Sequence, residues 1–560
     1  MESFPETAST RLNSHILSIL LQLLASKEKT VRYRSTQLMA HIINSLDSID
    51  DYYYHLLRVE LLKRIRDKEP MIRVQAVLGL GRLAGNEDNG DKDNEDSDDD
   101  ASGLLEKLLD VLQNDPSADV RRSLLLNLPL TPDTLPYLLE RARDLDPATR
   151  RALYSRLLPA LGDFRHLSLS MREKLLRWGL RDRDENVRKA TARLFRERWI
   201  KDCTGLRQVE DTSLEAASPT INALLELLER IDVVNSGVEE GIAPEALKEF
   251  WIGRPDYQDA INFDDPFWDY LSPESVFMAR SFNDFCRQQG DEKYDMLVEE
   301  KMPEVTKLAF FLQRYTKNLV DCLYRNHTRY EGDEEGEGEE DTVEQEFVVE
   351  QLLYIAKTLD YSDEVGRRKM FTLLRETLAI TELPDEITKL SVDVLRDVCG
   401  TETSGEREFC GVVLEAIAEV HDAIVVDEPM VDNEDESFHS AHSEIRDTTA
   451  TEASDTTATE AKGPRSLAGD KNGNSEEDEE KAIKEIMINM KCLHIAQCML
   501  QNVEGNLQQN IHLVAMLNNL VVPAVRSHEA PIRERGLLCL GLYCLLDKVR
   551  TSIVRSLMIC

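Results

Sequence analysis

The chain has 560 residues, of which 42% are hydrophobic, 31% charged and 6% aromatic, and its formal net charge is -38. This length exceeds one compact core, so several domains or a repeat structure are expected, and the composition favours Leu-, Ala- and Arg/Glu-rich helices over a β-sandwich. The sequence contains no run of 18 apolar residues, which argues against a membrane span, and its acidity argues against a polyanionic partner unless the charge is segregated along the chain.

Residues 1–202 repeat one unit, in which an apolar helix leads to a short polar turn and a second helix that opens with a β-branched or small residue followed by arginine. The recurring arginines, 41, 48, 29 and 38 residues apart, are Arg32, Arg73, Arg121, Arg150 and Arg188. Leu12, Ile16, Leu20 and Leu23 before the first turn, and Val31, Leu38 and Ile42 after it, recur at helical spacing, which predicts two amphipathic helices per unit. One such helix pair cannot bury its apolar face alone, so the pattern predicts an all-α HEAT-repeat solenoid with a curved, concave surface.

Capping signals predict where individual helices begin. Ser170 and Glu173 have the spacing of a capping box, and Ser272 directly precedes a proline. We therefore expect helix N-termini next to Ser170 and Ser272.

Acidic segments divide the rest of the chain. Residues 86–102 and 331–346 are predicted to be solvated loops, and residues 427–480 to be a disordered Ser/Thr-rich linker that contains two copies of Asp-Thr-Thr-Ala-Thr-Glu-Ala. Residues 203–426 are then central irregular helical repeats. Residues 481–560 begin a C-terminal HEAT-like domain, in which Arg533 follows an isoleucine as in the N-terminal units.

The N-terminal repeats are basic although the whole chain is acidic. Residues 11–85 hold 12 Lys and Arg against 7 Asp and Glu, and residues 104–202 hold 20 against 15. The five recurring arginines are expected to form a structural ladder with turn aspartates of their own or the next repeat. The basic residues beside this ladder are Lys29, Arg34, Arg122, Arg151, Lys189 and Arg193. If they project from one side, they form a stripe suited to a phosphate backbone without sequence preference, and the alternative is a merely solvated charged face.

An aromatic segment follows the first repeats. Trp251, Phe267 and Trp268 place two of the four tryptophans within 18 residues. Two interpretations remain open: the aromatic residues fill the core of an irregular repeat, or they form a docking surface for an extended peptide.

Sequence motifs of catalysis and of cofactor binding are absent. The string from Gly79 to Gly85 lacks the spacing of a phosphate loop, and the histidines and ten cysteines show no zinc spacing. The carboxylates occur in runs rather than as isolated pairs. The sequence therefore predicts no enzyme activity, no metal site and no cofactor.

Four strings resemble the condensin subunit 3 family, the G-type HEAT-repeat subunits of condensin. They begin at Lys29 (KTVRYRSTQL), Met71 (MIRVQAVL), Trp268 (WDYLSPESVF) and Ala530 (APIRERGLLCLGLYC), in that order along the chain. The last string is the most specific, whereas valine–arginine turns are common to all HEAT proteins.

The resemblance implies a non-SMC regulatory subunit that binds the kleisin subunit and, with it, double-stranded DNA, and that contacts the SMC ATPases indirectly. It also implies a role in mitotic chromosome condensation, location in the nucleus and on chromosomes with a cytoplasmic pool between divisions, and further repeats before Leu12 and beyond Cys560. It leaves the kleisin site unassigned, with Trp251, Phe267 and Trp268 as candidates. The alternative function is a protein-binding scaffold of the transport-receptor or phosphatase-scaffold type that does not bind DNA.

Overall fold

A computed structural model describes residues 8–46, 49–84, 103–204, 219–238, 240–328, 337–400, 402–422, 474–505, 507 and 510–546. Within these ranges all regular secondary structure is helical, which confirms the predicted all-α fold. The helices fall into two compact units, residues 1–302 (unit 1) and 303–560 (unit 2). None of the helices in the described ranges is long and apolar enough to span a bilayer.

Unit 1 contains nineteen α-helices among its described residues. They are α1 (Ala8–Leu23), α2 (Lys29–Ser45), α3 (Asp51–Arg64), α4 (Pro70–Ala84), α5 (Leu104–Asn114), α6 (Ala118–Asn127), α7 (Leu135–Leu139), α8 (Pro147–Ala152), α9 (Leu158–Ala160), α10 (Leu169–Leu180), α11 (Glu185–Arg193), α12 (Ile200–Cys203), α13 (Ile221–Arg230), α14 (Val233–Ser236), α15 (Ala243–Gly253), α16 (Pro255–Ala260), α17 (Asp265–Asp269), α18 (Pro273–Gln289) and α19 (Glu292–Lys301).

Unit 2 contains nine α-helices in the part of it that the structure describes. They are α20 (Val305–Thr328), α21 (Glu337–Ala356), α22 (Glu364–Leu378), α23 (Asp385–Cys399), α24 (Thr403–Asp422), α25 (Asn474–Gln501), α26 (Ile511–Met516), α27 (Val522–Val525) and α28 (Ala530–Leu546).

The first repeats of unit 1 have two layers. In each repeat, a first helix such as α1, α3 or α5 leads to a second helix that carries a recurring arginine. The second helices α2, α4, α6, α8 and α11 pack one against the next in chain order. This row of second helices, which we call the second-helix layer, positions the candidate site.

Burial in the first repeat differs from the predicted apolar face. Leu12, Leu23 and Leu38 are 58%, 41% and 52% exposed, whereas Leu17 and Leu24 of the first helix and the turn after it are buried. Of the seven residues predicted at this spacing, Leu20 is buried and Ile16, Val31 and Ile42 are half-buried, so the prediction is wrong only for the three exposed leucines. Apolar residues occupy many positions of this stretch, so helical spacing fits more than one face of the helix. Contacts with the neighbouring helix decide which of these faces is buried.

Helix boundaries confirm one capping prediction and differ from the other, and two helices begin inside segments predicted to be a loop and a linker. Ser272 caps α18, with Ser275 completing a reciprocal capping box. The helix expected to begin at Ser170 is capped two residues earlier, because Ser168 accepts the hydrogen bond from the Met171 N–H. Helix α21 extends back to Glu337 and α25 to Asn474, inside the predicted loop 331–346 and linker 427–480. Glutamate has a high helix propensity and is stabilised near a helix N-terminus, which explains both extensions.

The remaining parts of the three predicted acidic segments lie outside the described ranges. These are residues 86–102, 331–336 and 427–473, so their predicted loop and linker character stays a prediction. The bounds of the predicted N-terminal, central and C-terminal segments also stay predictions.

Candidate functional site on the second-helix layer

A ladder of charged side chains runs along the turns of the second-helix layer. Arg121 shows its geometry: Nε and Nη2 donate to the two carboxylate oxygens of Asp144 in the next repeat, at 2.8 and 2.7 Å. Its Nη1 donates to the carbonyl oxygen of Asp115, at 2.6 Å. The arginine therefore joins its own turn to the next one. The Arg121 and Asp144 side chains are only 9% and 1% exposed, so the rung is sealed from solvent.

The same rung recurs in three other repeats. The shortest arginine–aspartate distances are 2.8 Å for Arg32–Asp67, 2.8 Å for Arg73–Asp115 and 2.6 Å for Arg150–Asp182. Such paired, charge-assisted hydrogen bonds also fix the angle between the two groups. The bidentate rungs therefore set the register between successive repeats.

The ladder aspartates have a sequence signal of their own, which the arginine pattern does not include. Each of them lies six residues before the arginine of its own repeat, as in Asp115 and Arg121. The aspartate also accepts the backbone N–H two residues ahead, at 2.8 Å from Ser117 for Asp115. At the same offset from Arg32 and Arg533 stand Ser26 and Ser527, which make this local bond without a charge.

The ladder lowers the pKa of its aspartates. Burial by itself would raise the pKa of Asp67, Asp144 and Asp182. Hydrogen bonds from the arginine of the preceding repeat and from the backbone outweigh burial, and each pKa is held below its usual value. These three aspartates are therefore charged throughout the physiological range.

Residues directly after the ladder arginines share one face of the second-helix layer. An α-helix turns about 100° per residue, so these residues point to one side of each ladder arginine. They are Tyr33, Val74, Arg122, Arg151 and Lys189. A shallow open depression of about 390 Å³ is lined by Tyr33, Val74 and Arg122 from three successive second helices, which shows that they face the same space. We call this surface the second-helix face.

Five of the six predicted stripe residues belong to this face by helical position. Lys29 and Arg193 stand within about 40° of the residue after the ladder arginine, whereas Arg34 is about 100° further round its helix. The Arg34 guanidinium donates to Gln37 Oε1 at 2.8 Å and lies 5.4 Å from the Tyr33 ring centre. By helical position Arg34 therefore lies beside this face rather than on it.

The predicted stripe is also interrupted. In α4 the second-helix face presents Val74 and the 63% exposed Met71, and no basic residue lines the depression there. Together with Tyr33 and Leu126, these residues form the apolar part of the depression, and its other lining residues are polar: Gln75, Asp119, Arg122, Ser123 and Asn127. The face is thus amphipathic rather than continuously basic.

Acidic neighbours neutralise part of the predicted stripe. Lys189 pairs with Glu185 at 2.6 Å and Arg193 with Glu197 at 2.8 Å, both on one continuous stretch of helix. Arg122 pairs with Asp119 and, at 3.1 Å, with Asp146. Lys29 and Arg151 are exposed and have no acidic partner among the described residues. Of the five stripe residues on this face, these two are the ones fully available to an added anion.

The aromatic candidates lie in the core. Trp251 and Trp268 are 0% and 2% exposed, and Phe267 is half-buried. The Trp251 Nε1 donates to Ser281 Oγ at 3.2 Å, and Trp268 Nε1 to the Phe263 carbonyl at 3.3 Å. The core-filling interpretation therefore describes the two tryptophans, and their proposed role as a docking surface is wrong because neither ring reaches the surface.

Unit 2 contains a polar cluster, built around the buried Lys491, where α23, α25 and α28 meet. Lys491 is 6% exposed, and its ammonium donates to the Leu383 carbonyl and to Thr388 Oγ1. Burial lowers the pKa of Lys491 to about 8. Asp385 accepts a hydrogen bond from Arg535 at 3.0 Å. The cluster joins the N-terminus of α23 to the two later helices.

Comparisons with known families identify what the chain is similar to. Residues 491–559 match the family described as nuclear condensing complex subunits, C-terminal domain. The chain is 37% identical to condensin complex subunit 3 of Schizosaccharomyces pombe over 95% of this chain and 54% of that protein. It is 31% identical to the protein of that name from Saccharomyces cerevisiae over 96% of this chain and 50% of the relative. The chain thus spans about half the length of these curated relatives.

A solved structure supports the same similarity. The crystal structure of the S. pombe condensin Cnd3-Cnd2 subcomplex matches with a TM-score of 0.72 and 34% sequence identity. The match covers 97% of this chain and 56% of the matched one. Both fold and sequence therefore agree over nearly the whole chain.

Proposed function

The chain belongs to the condensin subunit 3 family, and on this premise we propose that it binds a kleisin subunit and, with it, double-stranded DNA without sequence preference. The kleisin part is supported by the similarity to a subunit that crystallised in a subcomplex with Cnd2. In this proposal the chain is a non-enzymatic scaffold of chromosome condensation, located in the nucleus and on chromosomes. Any ATP hydrolysis belongs to SMC partners, which it contacts indirectly.

The observation that carries the DNA part is the position of Lys29 and Arg151. Both are exposed, both lie on the second-helix face, and neither has an acidic partner among the residues that the structure describes. Phosphate oxygens can pair with such cations at little cost in lost ion pairs. Arg122, Lys189 and Arg193 are weaker candidates, because binding DNA would require them to exchange an existing carboxylate partner.

Duplex binding with and without purified kleisin tests the proposal. The variant Lys29→Glu/Arg151→Glu is compared with Lys63→Glu/Lys174→Glu, which reverses two lysines on the first helices α3 and α10. Fluorescence anisotropy is measured from about 50 to 200 mM salt. If both residues contact phosphates, the first variant flattens the plot of log affinity against log salt by roughly 0.9 per lost contact, and the control leaves it unchanged.

Three results separate the parts of the proposal. Equal affinity and salt slope for wild type and both variants would refute the DNA role of the second-helix face. Kleisin binding without any duplex binding would support the alternative function, a protein-binding scaffold that does not bind DNA. Failure of the wild-type chain to bind kleisin would refute the subunit role itself.

A further inference from the structure

Arg188 has the anchoring of a ladder arginine without the carboxylate that completes the rung. Its Nη1 donates to the carbonyl oxygens of Asp182 and Arg183, at 2.8 and 3.1 Å. Arg150, one repeat earlier, makes the corresponding bonds to Asp144 and Leu145, at 2.7 and 3.2 Å. The two guanidinium groups are therefore held by their own turns in the same way.

The difference lies at the other edge of the guanidinium. In Arg150, Nε and Nη2 bind the two oxygens of Asp182 at 2.6 and 2.8 Å. Among the described residues, no carboxylate lies on the corresponding edge of Arg188, which is half-buried. Asp232, in the turn of the next repeat, adopts a left-handed conformation with φ 54° and accepts hydrogen bonds from Asn235 instead. The repeat that follows therefore supplies no rung to Arg188 from this aspartate.

We propose that Arg188 receives an aspartate or glutamate carboxylate of the partner polypeptide, so that the ladder continues across the interface. This inference rests on the kleisin binding proposed above. The four complete rungs show that an arginine anchored in this way takes a carboxylate in bidentate geometry. Because the Nη1 anchor already fixes the guanidinium, little side-chain entropy remains to be lost when the carboxylate binds.

The geometry of the complete rungs favours a single carboxylate over a DNA backbone. Acidic and basic residues alternate around Arg188, with Asp182 paired to Arg150 and Glu185 to Lys189, so local charge leaves no basic run that would follow a row of phosphates. A lone aspartate is accommodated beside similar acidic turns elsewhere in the ladder, as Asp144 is beside Asp146. The site therefore suits an acidic peptide segment.

Calorimetric titration of the full chain with purified kleisin tests the proposal. Arg188→Gln is expected to weaken kleisin binding by about tenfold or more, because it removes the positive charge and one of the two side-by-side N–H donors that would bind the carboxylate. Arg188→Lys is expected to weaken it nearly as much, because an ammonium cannot bind both oxygens side by side. The matched control is Arg177→Gln on α10, which is 37% exposed and pairs with Glu173, and it should change the affinity by less than about twofold.

A double-mutant cycle identifies the partner group. Each kleisin Asp or Glu is changed to its amide, and one of these changes should weaken binding to the wild-type chain but not to Arg188→Gln. Wild-type affinity of both Arg188 variants, or the absence of any coupled acidic residue, would overturn the inference while kleisin binding itself stands.

Two other groups at the Arg188 guanidinium, a carboxylate of the chain itself and a DNA phosphate, would give distinct results. A lower melting temperature of Arg188→Gln without kleisin, reproduced by Glu239→Gln, would show that the chain supplies its own carboxylate and would overturn the inference. Weaker duplex binding with a smaller salt slope in the absence of kleisin would assign the site to phosphate and would also overturn it. If wild-type chain binds no kleisin, the proposed function fails and the inference fails with it.

Discussion

Replacing Asp144 by alanine measures what one rung of the ladder contributes to unit 1. Asp144 accepts two hydrogen bonds from Arg121 and one from the Asp146 N–H, at 2.9 Å. Its removal leaves the Arg121 guanidinium, whose side chain is 9% exposed, with a buried charge and only a carbonyl partner. Breaking a buried pair in this way destabilises proteins by about 3–5 kcal/mol, so we expect Asp144→Ala to lower the unfolding free energy of unit 1 by that order.

Tryptophan fluorescence restricts the measurement to unit 1. All four tryptophans of the chain, residues 178, 199, 251 and 268, lie in this unit. Urea unfolding followed by their emission therefore reports on unit 1 without a contribution from unit 2. The control is Glu60→Ala, which removes a surface pair with the 57% exposed Lys63 and should change the unfolding free energy by roughly 0.5 kcal/mol or less.

The pH dependence gives a second, independent readout. The pKa of Asp144 is lowered in the folded protein, so its stabilisation is present above the unfolded pKa and is lost as the pH falls through the folded value. The difference between wild type and Asp144→Ala should therefore shrink below about pH 4. Equal destabilisation by Asp144→Ala and Glu60→Ala, or a difference that does not change with acid, would refute the account of the ladder as a buried electrostatic link.

Three further predictions concern buried positions. Because the pKa of Lys491 falls to about 8 on folding, the contribution of this residue to stability rises with pH from about 8 to its ordinary value near 10.5, so the stability of wild type minus that of Lys491→Met should rise over this range in urea unfolding followed by circular dichroism; a difference that does not change with pH would contradict it. Gly179→Ala should lower the unfolding free energy of unit 1 by roughly 1–3 kcal/mol, since the methyl would overlap Thr191 and the Tyr154 ring, and an unchanged urea midpoint would exclude this overlap. Trp251→Ala should destabilise unit 1 by about 3–5 kcal/mol and leave the kleisin affinity of the folded protein unchanged in calorimetry, whereas a selective loss of affinity would restore its docking role.

The ladder illustrates how much of a repeat architecture is written in local sequence. The arginine after a β-branched or small residue marks each second helix, and the aspartate six residues earlier marks the turn that receives the preceding arginine. Both signals recur, so their spacing alone is sufficient to locate the helices and the turns. The serines at residues 26 and 527 stand at the same offset and keep the local turn bond without a carboxylate.

The second-helix face could be predicted only in part. Helical spacing placed Lys29, Arg122 and Arg151 together and sets Arg34 about 100° further round its helix, but it did not reveal that α4 interrupts the basic surface with Met71. Which cations are free depends on acidic neighbours. Asp146, which pairs with Arg122, belongs to the next repeat, so the pair forms only when the repeats stack.

A stack of helix pairs, with an arginine at the start of each second helix, follows from the amino-acid sequence alone, because the spacing of polar turns and apolar helices is a property of each repeat. The stacking of the repeats selects which side of each helix is buried, as it does for Leu38 at the surface and for Trp251 and Trp268 in the core. It also leaves Arg188 without a carboxylate among the described residues. Burial and pairing depend on what the neighbouring repeat presents, and this information is not contained in any single repeat.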